Sequence, residues 1–135
     1  MKVCTGLVLL LAALMLVASS ASVSGAEGRL VGITAASDNT FHVAGQKSPV
    51  IRAYAGERLR LRVTSQRGTE AARDGAVHSL VIRSLRNEGW DIRLHEGTRD
   101  YEVTAPARPG EYLIECTVKC GPGHDDMYMK LLVQK

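Results

Sequence analysis

The chain has 135 residues, too few for more than one ordinary domain. Its 17 Lys and Arg against 14 Asp and Glu leave a net charge of +3, too balanced to argue for nucleic acid or an anionic membrane surface as a partner. With one Phe and one Trp, any core must be built mostly from Val, Leu, Ile and Ala.

Residues 1–26 read as a secretory signal peptide. Lys2 gives a short positive start, residues 7–18 are an apolar run, and Ser24-Gly25-Ala26 is a small-x-small cleavage site. The run is too short for a comfortable membrane span, so cleavage is expected to leave no transmembrane segment. An uncleaved membrane anchor is the competing reading. The product is expected to be exported, to a periplasm or outside the cell. Cys4 precedes the apolar run and leaves with the signal, so two of the three Cys remain in residues 27–135.

Residues 27–135 read as one domain of short strands with turn signals between them. The pattern predicts strands over 30–34, 41–43 and 50–54, with turns at Ser37-Asp38-Asn39 and at 46–49. Ala55-Gly56-Glu57 turns the chain into its clearest alternation, residues 58–64. There Leu59, Leu61 and Val63 share one side and Arg58, Arg60 and Arg62 the other, the period of a half-buried strand. The Arg row reads as a solvated sheet face that charge protects from edge pairing, in preference to an anionic docking face. Residues 66–75 are polar with no apolar period, a loop expected to be the most mobile part of the domain. Further strands are predicted over 77–82, 90–94, 98–104, 111–115 and 129–133. No repeat, helical period or low-complexity tract is present. About eight short strands so punctuated predict an all-β, Greek-key β-sandwich.

His78 and Leu80 share one face of the 77–82 strand. A lone His on an apolar strand is by itself more often a satisfied core residue than a ligand. His42, in an early strand, and His95, in a Glu-Gly turn, read as surface or structural residues.

The chemistry concentrates between the last two strands, in Cys116-Thr117-Val118-Lys119-Cys120-Gly121-Pro122-Gly123-His124-Asp125-Asp126-Met127. Thiolate, thioether and imidazole together favour copper over magnesium, calcium or manganese. Gly-Pro-Gly forbids a continuous helix and folds the loop tightly. Three readings fit the spacing. A Cys116–Cys120 disulfide would stabilise by only roughly 2 kcal/mol through loop-closure entropy and would leave His124 and Met127 unexplained. Cys120, His124 and Met127 with a distant His could hold one copper in the blue-copper manner. Both thiolates could instead bridge two copper ions.

The Cys-x3-Cys-x3-His-x2-Met spacing resembles the dinuclear copper (CuA) loop of cytochrome c oxidase subunit II, found also in nitrous oxide reductase. Val77-His78-Ser79-Leu80-Val81-Ile82 resembles the strand that carries that family's first His ligand, and Arg108-Pro109-Gly110-Glu111-Tyr112 its turn into the strand before the loop. The similarity runs from about Val50 to the C-terminus and implies a cupredoxin-like domain. It also implies a ligand set: Cys116 and Cys120 as bridges, His78 and His124 each on one copper, Met127 as a weak axial ligand and the Val118 carbonyl as the last donor. Val stands where the family often has Glu or Gln, which a carbonyl ligand tolerates. Bridging thiolates would spread one unpaired electron over both metals, and the small net charge of such a centre suits a low-dielectric interior.

The family's subunit II carries transmembrane helices before its copper domain, whereas this chain has only the signal-like segment. It therefore reads as an exported electron carrier rather than an oxidase subunit. The expected partner is a redox protein such as a cytochrome or a terminal oxidase or reductase. The slightly basic charge favours an acidic or neutral partner over a strongly basic cytochrome c. The alternatives are a mononuclear blue-copper carrier and a periplasmic copper delivery or storage protein. An enzyme in its own right is disfavoured, because a full ligand set leaves substrate nowhere to bind and no paired acid and base flank the motif. Trp90 is a candidate aromatic for electron transfer, with a buried core role the preferred reading.

Overall fold

The structure, a computed structural model, describes residues 26–135. The signal-peptide reading of 1–26 thus lies outside the described residues, Ala26 excepted. Nine strands follow in order: β1 (Arg29–Ala35), β2 (Phe41–Val43), β3 (Val50–Tyr54), β4 (Arg58–Ser65), β5 (His78–Val81), β6 (Asp91–Leu94), β7 (Gly97–Thr104), β8 (Gly110–Glu115) and β9 (Tyr128–Gln134). They form two sheets, of order β2-β1-β4-β7 and β3-β9-β8-β5-β6. The pairs β1/β4 and β3/β9 are parallel, and the other pairs are antiparallel. This is the β-sandwich that the strand pattern predicts. No helix among the described residues is long and apolar enough to cross a membrane.

The alternation in β4 does what its period requires. Leu59, Leu61 and Val63 point between the sheets and are essentially buried. They pack with Leu80, Ile114 and Leu131 from the opposite sheet in one aliphatic core. Burying each such side chain contributes about 1.5–3 kcal/mol. The Arg side faces solvent and pairs with acids. Arg62 lies opposite Asp100 of β7 and donates to it at 2.8 Å. Arg60 reaches Glu27 and stands 3.8 Å from Asp100. Such exposed pairs add little stability, but they leave Arg60 and Arg62 charge-compensated rather than bare.

Two differences from the sequence pattern have local causes. Residues 83–88 form a short 3-10 stretch that ends where Gly89 turns left-handed at φ 94°. Six residues with no apolar period gave no sign of it. β5 is buried at all four positions, not on alternate ones. It is an interior strand between β8 and β6. Trp90 stands just before β6, is 1% exposed, and donates from Nε1 to the Thr104 carbonyl at 2.9 Å. It is a core residue.

Candidate metal centre

The connection from β8 to β9 is the Cys/His/Met loop. Its base closes where the Cys116 N–H donates to the Met127 carbonyl at 3.0 Å. Gly121 and Gly123 both take positive φ, at 122° and 89°. That lets the chain reverse into a single 3-10 turn, His124–Asp126, in place of a longer helix. The turn aims His124 back toward Cys120.

The side chains converge. The sulfurs of Cys116 and Cys120 and a ring nitrogen of His78 lie within 4.8 Å of one another. Cys120 Sγ is 3.6 Å from His124 Nδ1 and 3.8 Å from Met127 Sδ. Cys116 Sγ is 3.3 Å from the Val118 carbonyl oxygen. All six residues named from the sequence therefore meet at one end of the sandwich. Both Cys are free thiols, so the disulfide reading does not describe this state. His78, Cys116, Val118, Cys120 and Met127 are buried, while His124 is half-buried at the rim.

His78 fixes its own tautomer. Its Nε2 lies 2.8 Å from the Gln66 carbonyl, which can only accept, so Nε2 carries the hydrogen. Nδ1 is then a buried lone pair, and no group partners it. An orphaned buried acceptor costs about 1–3 kcal/mol. A metal ion held with the neighbouring thiols would satisfy it, in the usual arrangement where a ligating imidazole donates its other N–H to a carbonyl. Sulfur and imidazole donors in this proportion fit copper.

The electrostatics of the pocket disfavour charge. Burial pushes the His78 pKa down against the raising effect of the Gln66 and Ala36 backbone, and the nearby His124 lowers it further. Burial first, and then the neighbouring Cys116, push the Cys120 thiol up to about 12. A bound cation inverts this logic for a thiol, which deprotonates when it ligates.

Several supporting residues escaped the sequence reading. Ser79 and Thr117, which follow His78 and Cys116, bond to each other through a Thr117 N–H···Ser79 Oγ contact of 2.7 Å. Loop 66–75, expected to be mobile, folds onto the site. It supplies the Gln66 carbonyl to His78, and its Glu70 N–H donates to the Cys120 carbonyl at 3.2 Å. The Val118 side chain is itself in the core, in addition to its carbonyl facing Cys116. A cavity of about 130 Å³ lies against Cys116, His124 and Met127, with the Arg83–Glu115 ion pair in its wall. His42 is exposed and bonds to Thr40 at 3.0 Å, and His95 is half-buried in the β6–β7 turn.

No protein-family model matches the chain, and no curated protein matches it. Solved structures do. A chain of a heme-copper terminal oxidase dimer superposes with a TM-score of 0.59 at 19% identity, covering 83% of this chain and 68% of that one. Auracyanin B follows at 0.54 and 21%, covering 84% and 94%. The periplasmic domain of subunit II of cytochrome oxidase from Bradyrhizobium japonicum gives 0.51 and 15%, covering 79% and 84%. The fold is that of the cupredoxins. At these identities the likeness extends to the fold alone.

Proposed function

We propose that this protein is an exported copper-binding electron carrier whose centre is built from His78, Cys116, Val118, Cys120, His124 and Met127. The observation that carries the reading is the convergence of two free thiols, two imidazoles and a thioether at one end of the sandwich, with the buried His78 Nδ1 left unpartnered. Copper would supply a one-electron redox couple. The chain's own residues do the rest. Gln66 orients the His78 ring, the surrounding aliphatic core keeps water out, and half-buried His124 gives electrons the shortest way to the surface. A redox protein, such as a cytochrome or a terminal oxidase or reductase, is the partner. A complete ligand set leaves no open position for a substrate, which favours a carrier over an enzyme.

The two-ion, CuA-like form is favoured by the second thiol. Cys116 lies within 4.8 Å of both Cys120 and His78, where a bridging ligand belongs. A single-ion, blue-copper form is the second reading, because Cys120 Sγ lies 3.6 Å from His124 Nδ1 and 3.8 Å from Met127 Sδ. The test is a copper count with an optical spectrum on reduced protein loaded after removal of residues 1–26. Two coppers per chain with a coloured, reducible form support the first reading, and one copper supports the second. Tight but colourless Cu(I) that does not cycle would make it a delivery or storage protein, and no copper uptake would overturn the proposal.

A further inference from the structure

We infer that Asn39 is a positioning residue for this centre: it clasps the Cys120–His124 segment from the opposite sheet. The inference rests on reading that segment as metal-binding. Asn39 sits in the turn between β1 and β2, far from the loop in sequence. It is 4% exposed, and at φ 61° it is the one non-glycine residue with positive φ among the described residues. Asn tolerates that left-handed conformation better than most residues, but it is uncommon and marks a turn held in place by its surroundings.

The side chain explains the turn. Asn39 Nδ2 donates to the Pro122 carbonyl at 2.7 Å, midway between Cys120 and His124. Three glycines make room for the amide. A Cβ on Gly68 would meet Asn39 Oδ1 at 2.6 Å and the Cys120 carbonyl at 2.5 Å. A Cβ on Gly121 would stand 3.3 Å from Asn39 Nδ2 and would collide with Thr69 Oγ1, while one on Gly123 would stand 3.8 Å from Asn39 Cβ. The amide is therefore inserted where three loops meet, and the metal loop has no side chain in its way.

The mechanical consequence is specific. Cys120 is tied by its carbonyl to Glu70, and Met127 by its carbonyl to Cys116. Between those ties, Pro122 has no N–H of its own and is held through its oxygen by Asn39. The clasp thus fixes the segment that sets the 3.6 Å separation of Cys120 Sγ and His124 Nδ1. Without it, those two donors remain present but move more freely relative to each other.

Two variants test this. Asn39→Gly keeps the left-handed turn without strain and removes the amide. Asn39→Asp keeps the shape but sets a carboxylate oxygen against the Pro122 carbonyl. Copper transfer to a chelator and the reduction potential are read on the loaded protein, and hydrogen exchange on the reduced metal-free protein. In both variants the copper count should stay the same, the reduction potential should shift, and copper release should quicken on the order of fivefold or more, the worth of one hydrogen bond. Exchange should quicken at the His124 and Met127 amides and stay unchanged in β4. Wild-type release, potential and loop exchange in both variants would overturn the clasp, as would equal acceleration in β4, which would mean general loosening. If the wild-type protein takes up no copper, the electron-carrier reading falls, while the exchange measurement still decides whether Asn39 holds the loop.

Discussion

Replacing Ser79 with Ala should weaken the domain far more than its single lost oxygen suggests. Ser79 is fully buried on β5, next to His78. Its Oγ accepts the Thr117 N–H at 2.7 Å and lies 3.0 Å from the Thr117 hydroxyl. Thr117 follows Cys116, so this small cluster ties the segment that carries one imidazole to the segment that carries one thiol. Ala removes the acceptor and leaves a backbone donor unpaired beside the core, which costs about 1–3 kcal/mol. Thr117→Val is milder. It keeps the amide bond to Ser79 and loses only the hydroxyl pair, for about 0.5–1.5 kcal/mol. The assay is urea and thermal unfolding of the reduced, metal-free protein. A loss of 2 kcal/mol corresponds to a fall in Tm on the order of 10 °C for a domain of this size. The urea m-value should not change, since the same surface is exposed on unfolding. The double variant should lose less than the sum of the two, because both changes remove the same hydroxyl pair. If Thr117→Val costs as much as Ser79→Ala, the backbone bond is not the main term. If both cost under about 0.5 kcal/mol, water replaces the serine and the reasoning fails.

Cys116→Ser should abolish a two-copper centre while leaving His78, Cys120, His124 and Met127 able to hold one ion. Two coppers with an unchanged spectrum in that variant would remove Cys116 from the bridging role. Val118→Ala should keep the spectrum, since it leaves the carbonyl that faces Cys116 Sγ in place. Its buried side chain should nonetheless show as a stability loss of about 1–3 kcal/mol in urea unfolding. The reduced metal-free protein should be most stable between the two pKa shifts. The folded-state pKa of His78 is depressed below its ordinary 6.5, so its contribution is present above that value and is lost as pH falls through the depressed one. Cys120 is raised from 9.0 to about 12, so its contribution is present below 9.0 and is lost as pH rises toward 12. A urea midpoint that stays flat as the pH climbs past 9.0 would contradict a buried, protonated Cys120.

The parts of the fold legible in the sequence are those whose cause is local. Leu59, Leu61 and Val63 alternate with Arg because one side of a strand is wet, and the period survives in any tertiary setting. The ligand loop is legible because four donor side chains crowd into a dozen residues. His78 is legible only through resemblance, since nothing local separates it from a core histidine. The supports are not legible at all, because their cause is long-range. Asn39 meets Pro122 across 83 residues and Ser79 meets Thr117 across 38, and each reads as an ordinary turn or strand residue until the sheets are assembled. The Arg row shows the same limit: its alternation is local, but its pairing with Asp100 depends on the β4/β7 register.

The pocket and the supports around it together argue for a preformed site. Burial keeps His78 neutral and Cys120 protonated, so an incoming cation must displace thiol protons and should bind less well in acid. The imidazole needs no such step: its Nε2 hydrogen already goes to Gln66, and Nδ1 is already buried without a partner. The fold therefore holds an acceptor at a cost that only a ligand can recover, and it holds the loop from three directions, through Asn39, Glu70 and Ser79. Fixed donors raise the affinity of any metal site, because less ordering remains to be done on binding. In an electron carrier they do more, because every ångström of donor movement adds to the energy of moving the electron.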